Sequence, residues 1–301
     1  MNTRVNPSMQ FDDDTASQTS AQNSLGGSAA LGRILIDSGK LKREDIDKIT
    51  AAQQEQGLRF GEAAVKLGLV READILQGLS KQFSFSWIEP SQTRLSTELS
   101  VLHDPFSREA EALRTLRGHL LLRWFGNGNK FLAVGADDRG SGVTHTAANL
   151  AVLFAQAGLR TVLVDGNLRF PRVTDIFGAL AGSGLTEWLA GRGSQGLPVA
   201  VPEVRNLSLI PAGAVPPNPQ ELLARPRFFD VLNKLGEYFD VVLVDCPAAQ
   251  LGADYEMIAS RCRGTIVVSH QDNAHIKRLS QLSADMRASG VEICGGVLNR
   301  F

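Results

Sequence analysis

The sequence predicts an α/β protein, a doubly wound, mainly parallel sheet preceded by a small helical domain. Five short, nearly all-apolar runs carry the sheet: FLAV (131–134), TVLV (161–164), LSLI (207–210), VVLV (241–244) and TIVV (265–268). Amphipathic helical stretches separate most of them, and such alternation implies parallel strands covered on both faces. The first run leads through a glycine-rich turn, GADDRGSGVTHT, into a helix pattern. Upstream of the sheet, residues 30–83 show helical periodicity with an internal repeat. A last apolar run, EICGGVL, lies near residue 301.

Residues 1–28 are rich in Ser, Asn, Gln, Asp and Thr, and cannot bury enough apolar surface to offset their ordering entropy, so a disordered tail is expected there. The helical domain is expected over 29–88. Its first copy reads Leu31-Gly32, Leu35-Ile36, Gly39, Leu41, Ile46 and Gln53; the second reads Phe60-Gly61, Ala64-Val65, Gly68, Val70, Ile75 and Gln82. Every element recurs at an offset of 29 residues. Apolar pairs three to four apart mark a helix face, and Gly39 and Gly68 fall where helix C-caps belong. Acidic residues beside each second helix start (Glu44, Asp45; Glu72, Asp74) suit the positive end of a helix dipole. A linker is expected over 89–105. Ser107 then caps a helix that opens the domain expected over 106–301.

Composition narrows the functional classes. The chain is 43% hydrophobic and 21% charged, with a formal net charge of −1, which gives no reason to expect nucleic acid as a partner. No apolar run reaches the roughly 18 to 20 residues needed to cross a bilayer, so no direct membrane span is expected. The N-terminus lacks the apolar core of a secretory signal. Cys246, Cys262 and Cys294 form no CxxC pair and read as free thiols in a reducing compartment. A cytoplasmic protein is expected.

The chemistry concentrates in the turn after the first strand. A glycine-rich turn between strand and helix presents backbone N–H groups at a helix N-terminus, where dipole and unpaired donors receive phosphate. The candidate phosphate-binding residues are Gly140, Ser141, Gly142, Val143, Thr144 and His145. Asp165 and Asp245 end two later apolar runs. Aspartates there could simply cap turns, but with the glycine loop they read as a nucleotide site.

Three blocks, GSGVTHT, VLVDGNLR and VVLVDCP, resemble the nucleotide motifs of the bacterial tyrosine kinases, a branch of P-loop ATPases related to the MinD and ParA group. Their usual forms are GEGKST, a strand followed by DADLR, and IVDTP. PAGAVPPNPQELL resembles the family's characteristic loop and helix start, and LNRF resembles the strand end beside the adenine, which brings in Asn299. The resemblance runs from about Pro105 to Phe301 and implies a P-loop fold that binds ATP or ADP with Mg2+ on Thr144 and Asp245. It makes Asp165 the candidate base in transfer of a γ-phosphoryl group to tyrosine.

Two positions depart from that pattern. Val143 stands where the phosphate lysine belongs, and Asn167 replaces the second aspartate of the second motif. Weak or absent turnover is the expectation, with Arg139 near enough in sequence to lend a charge. The family's tyrosine-rich C-terminal tail has no counterpart in this sequence: Tyr238 and Tyr255 are unclustered, and Tyr238, just before an apolar run, is expected to pack. Self-phosphorylation on a tail is therefore not expected.

Glu111, Arg114 and Arg117 share one helix side, and EALRTLR resembles the ExxRxxR element through which subunits of the family form rings, implying a homo-oligomer. The family also works with a membrane-spanning polysaccharide co-polymerase that sets chain length. That implies a separate partner chain and recruitment to the inner face of the plasma membrane. The helical repeat resembles the N-terminal domain of type II secretion and type IV pilus ATPases, some of which bind cyclic di-GMP through motifs beginning RLG and ending in Gln. Arg59, Gly61, Gly68 and Gln82 are the candidates that this resemblance gives. The first copy has Ala30 for the arginine, with Lys40 and Thr50 at apolar positions. The sequence thus favours an exopolysaccharide regulator with a degenerate Walker A motif. An active tyrosine kinase and a non-enzymatic module that senses cyclic di-GMP are the alternatives, and a MinD- or ParA-like positioning ATPase is disfavoured by EALRTLR and PPNPQELL.

Overall fold

The computed structural model describes residues 30–83, 85–178, 182–193, 197–272 and 275–300; the expected tail over 1–28 lies outside them. The chain divides into two compact units, Met1–Trp87 and Ile88–Phe301.

The first unit is a set of four helices: α1 (30–37), α2 (Arg43–Gln56), α3 (Phe60–Lys66) and α4 (Glu72–Phe83). Gly39 and Gly68 turn the chain after α1 and α3 with φ of 70° and 68°, a region glycine enters without a Cβ penalty. Asp45 and Asp74 accept the backbone N–H of Lys42 (3.1 Å) and Arg71 (3.0 Å) at equivalent helix starts. The core is built from Leu31, Leu35, Ile49, Phe60, Ala63 and Ala64, among others.

The second unit is a seven-stranded sheet: β1 (Phe131–Ala136), β2 (Thr161–Asp165), β3 (Val199–Ala200), β4 (Leu207–Ile210), β5 (Val241–Asp245), β6 (Gly264–His270) and β7 (Glu292–Asn299). Spatial order is β3-β4-β2-β5-β1-β6-β7. All neighbours pair in parallel except β3 with β4. The α/β class and mainly parallel sheet are as the sequence predicts. The two-residue β3 is too short to leave a periodic signal.

Side chains alternate between two cores, as period-two geometry requires. Val241 and Leu243 of β5 enter one cluster with α6 (Arg108–Arg123) and α7 (Val143–Gln156). Val242 and Val244 enter the other, with α11 (Pro226–Tyr238) and α12 (Asp254–Cys262). From β1 the chain crosses to β2 on one side, while β6 and β7 lie on the other. The carboxyl end of β1 is therefore where strand order reverses, the place such sheets bind ligands.

One expectation is corrected here. Residues 89–105 are not a free linker: Leu95, Leu99, Val101 and Leu102 are buried in the sheet core, and α5 (Ser100–His103) forms within the stretch. Asn149 of α7 fixes it, accepting from Val101 N (3.2 Å) and donating to Glu98 O (2.8 Å). The scattered apolar residues of this polar segment form no run, which hides their burial. Tyr238 is likewise not packed but 59% exposed, whereas Tyr255 is buried and hydrogen-bonded to Thr265 (2.7 Å).

Gly135 sits in the middle of this packing. A Cβ there would come within 2.3 Å of the buried Tyr255 ring. Gly135→Ala is expected to cost about 1–3 kcal/mol, the usual range for overpacking, read as a lowered urea midpoint. An unchanged midpoint would mean that the ring moves aside freely.

Candidate nucleotide site

The loop after β1 is shaped by two glycines in the left-handed region, Gly140 (φ 77°) and Gly142 (φ 85°). Gly142 is the N-cap of α7, so Val143, Thr144 and His145 form its first turn, where helix N–H groups lack intrahelical partners. The loop borders a cleft of about 1000 Å³ that also takes in Asn167 and Asn299. Asn299, at the end of β7, donates through Nδ2 to Ser141 O at 2.8 Å and so braces the loop.

Thr144 Oγ1 donates to Asp245 Oδ2 at 2.7 Å. Asp245 ends β5 and stands in register beside Asp165, which ends β2. Both carboxylates are fully buried. Asp165 is held by three backbone N–H groups: Asn167 (3.2 Å), Arg172 (3.2 Å) and Val173 (3.1 Å). Burial pushes its carboxyl up to about 7, against the pull of those donors. Asp245 is raised well above the carboxylate range by burial and by the charge of Asp165, opposed by Thr144 and Arg172. Neither Asp165 nor Asp245 is among the residues that line the cleft. The oxygens of Asp165 are engaged by the turn after β2.

Asp245 Oδ1 is buried and has no hydrogen-bond partner among the described residues. A hydroxyl, an unpartnered carboxylate oxygen and a second carboxylate nearby fit a hard divalent cation. No group of three or more His, Cys, Asp or Glu side chains able to hold a metal occurs among the described residues. Mg2+ takes one or two protein carboxylates and shares its shell with water and phosphate.

Val143, at the lysine position, lines the cleft and packs partly against the core. Four arginines also line the cleft: Arg108, Arg139, Arg172 and Arg300. Arg139 lies over the Phe170 ring, 4.0 Å from its centroid, and Arg172 pairs with Glu98 at 2.7 Å. Sequence spacing points only to Arg139, because the others arrive from separate elements. His145 contacts Glu109 of α6, linking the loop helix to its neighbour.

The remaining candidates lie elsewhere. Arg114 pairs with Glu111 (3.2 Å) and donates to Pro105 O (2.6 Å), while Arg117 donates to Leu153 O (3.3 Å). Of the three only Glu111 is fully exposed. In the helical unit Arg59 opens α3, its N–H bonded to Glu62 (2.8 Å), and Gln82 is in α4. A Cβ at Gly61 would meet Ile75 at 3.0 Å. Gly68 has open space around it.

A strand–glycine loop–helix at the switch point of a parallel sheet, with Thr144 bonded to a strand-end aspartate, defines a nucleotide-binding α/β domain of the P-loop class. No family profile matches the chain. The tyrosine-protein kinase CpsD of Streptococcus agalactiae is 31% identical over 180 residues, covering 60% of this chain and 79% of that protein. The tyrosine-protein kinase Wzc of Salmonella typhi is 28% identical over 203 residues, 67% of this chain and 28% of that protein. The kinase domain of the Escherichia coli tyrosine kinase ETK superposes with a TM-score of 0.64 at 27% identity, covering 67% of this chain and 79% of that one. The chain belongs to the bacterial tyrosine-kinase family. No helix among the described residues is long and apolar enough to cross a membrane.

The buried carboxylate pair has a pH signature. Asp165 binds its proton more tightly in the folded state, so the fold takes up protons that the unfolded chain has lost, and stability falls as pH rises from about 4 to about 7. Urea midpoints across that window should decline, and Asp245→Asn should flatten the slope. A slope identical in that variant would show that the pair is not the titrating unit.

Proposed function

We propose that this chain is a nucleotide-binding regulatory member of the tyrosine-kinase family, acting in exopolysaccharide synthesis with phosphoryl transfer lost or strongly slowed. The observation that carries this reading is Val143 at the lysine position of a site otherwise assembled. In a working P-loop that lysine cradles the β- and γ-phosphates and offsets transition-state charge; valine supplies neither donor nor charge. The glycine loop and the first turn of α7 would receive the phosphates, and Thr144 with Asp245 would hold Mg2+. Bound magnesium–ATP would supply a transferable γ-phosphoryl group. Asp165 would keep the loop after β2 in place, and Asn299, beside the base, would brace Ser141 of the phosphate loop.

Family resemblance supports a membrane polysaccharide co-polymerase as the partner, which would draw the protein to the inner membrane face. Self-assembly through the α6 face bearing Glu111 belongs to the same reading, with Arg114 and Arg117 fixing that face from within.

Calorimetric titration of the purified chain with ADP and ATP should show binding that strengthens with Mg2+, and Asp245→Ala should remove the Mg2+ increment while leaving the circular dichroism unchanged. Turnover on a tyrosine-containing peptide should be near background, and Val143→Lys should raise it about a hundredfold, the common scale of one transition-state charge contact. Wild-type turnover equal to that of the lysine variant would mean that the cleft arginines already replace it, making the chain an active kinase.

A further inference from the structure

The loop that would receive phosphate carries two carboxylates of its own. Asp137 and Asp138 follow β1 directly and precede Arg139 and Gly140. Asp138 lines the nucleotide cleft. Both side chains are largely withdrawn from solvent, at 13% and 22% exposure, so water screens them poorly. Two anions beside an anion-binding loop oppose its function unless something cancels them.

Arg278 does so from a distance. It lies on α13 (Ile276–Ala288), between β6 and β7. Its Nη2 donates to Asp138 Oδ1 at 2.7 Å, and its Nε forms an ion pair with Asp137 Oδ2 at 2.9 Å without hydrogen-bond geometry, so one planar guanidinium offsets the charge of both carboxylates. Arginine is suited to this because its donors form a rigid fork, whereas lysine is a point charge. Gln250 completes the frame: its backbone N–H donates to Asp137 O (3.1 Å), and its side-chain amide, oriented with the nitrogen toward Asp138, donates to Asp138 Oδ1 (3.0 Å) and accepts from Arg139 N (2.9 Å). With Asn299 on Ser141 O, the unit β6–α13–β7 grips the loop at both ends.

We propose that Arg278 is a positioning residue for phosphate binding, clamping Asp137 and Asp138 so that their charge is cancelled and turned away from the loop's N–H groups. This rests on the nucleotide reading of the cleft. Arg278 touches no phosphate in this account; it acts through the two aspartates.

The test is Mg–ADP affinity of the full chain by calorimetry at low and high salt. Arg278→Ala should weaken binding about tenfold at low ionic strength, and most of the loss should persist at about 0.5 M salt, because the two aspartates are largely withdrawn from solvent. Arg287→Ala, which removes the same charge from an exposed site on α13, should leave affinity unchanged. Adding Asp137→Asn and Asp138→Asn to Arg278→Ala should restore most of the affinity, because no carboxylates remain to cancel. Arg278→Lys should lie between Ala and wild type, and serves as the folded probe if the alanine variant loses its circular dichroism. Equal affinities for the Arg278 variants and Arg287→Ala would overturn the proposal. So would a loss that the asparagine pair fails to rescue, since a purely structural clamp gives that result. Absence of Mg–ADP binding by the wild type would instead overturn the nucleotide reading, and this inference with it.

Discussion

Asp165 and Asp245 end adjacent parallel strands in register, fully buried, with their carboxyls in one electrostatic unit. Neighbouring carboxylates in a buried interior cannot both ionise cheaply, and backbone N–H groups on Asp165 and the Thr144 hydroxyl on Asp245 reduce that cost. Three backbone N–H groups converge on Asp165, which fixes the turn after β2 and places Asn167, Phe170 and Arg172 along the cleft. Thr144 spends its hydroxyl on one oxygen of Asp245 and leaves the other without a partner. The site is thus short of positive charge at its base. Its geometry makes sense around a cation that arrives with a nucleotide.

Val143 bears on the opposite side of the same loop. In the family pattern a lysine would bring permanent charge to the phosphates, whereas here two of the four cleft arginines are already engaged, Arg139 on an aromatic face and Arg172 on a glutamate. Reaching a phosphate would require each to leave its partner. Binding can tolerate such an arrangement better than catalysis, because catalysis needs charge already positioned where it develops in the transition state. The same reasoning explains why loop anions matter more in this chain than they would beside an intact lysine.

Local signals made much of the fold legible. Each of the five main apolar runs lies within a strand, and the glycine turn stands at the end of β1, because buried parallel strands and left-handed glycines leave direct traces in residue type. The carboxylates at strand ends were visible for the same reason. Long-range convergence was not. Asp137 and Arg278 are 141 positions apart in the chain, and Asn149 holds Val101 through a side chain that reads as one polar residue in an alanine-rich helix. The segment over 89–105 reads as a linker because it is mostly polar, although Leu95, Leu99 and Leu102, four and three residues apart, are buried.

The helical unit shows how a repeat can both conserve and depart from its pattern for one physical reason. Gly32 packs against Ile46 as Gly61 packs against Ile75, at 3.3 and 3.0 Å for a notional Cβ, so these glycines serve close packing within each copy. Lys40 breaks the pattern, standing where the second copy has Leu69. Its ammonium pairs with Asp74 of the second copy at 2.9 Å. Burial alone would raise the Asp74 carboxyl, but hydrogen bonds from Lys40 and Arg71 outweigh it and hold it at about 2. Asp45, the equivalent in the first copy, pairs with Lys48 of its own helix instead. The polar residue at an apolar position therefore ties the first copy to the second, adding its charge to the one that Arg71 already brings to the nearly buried Asp74, which a leucine could not do.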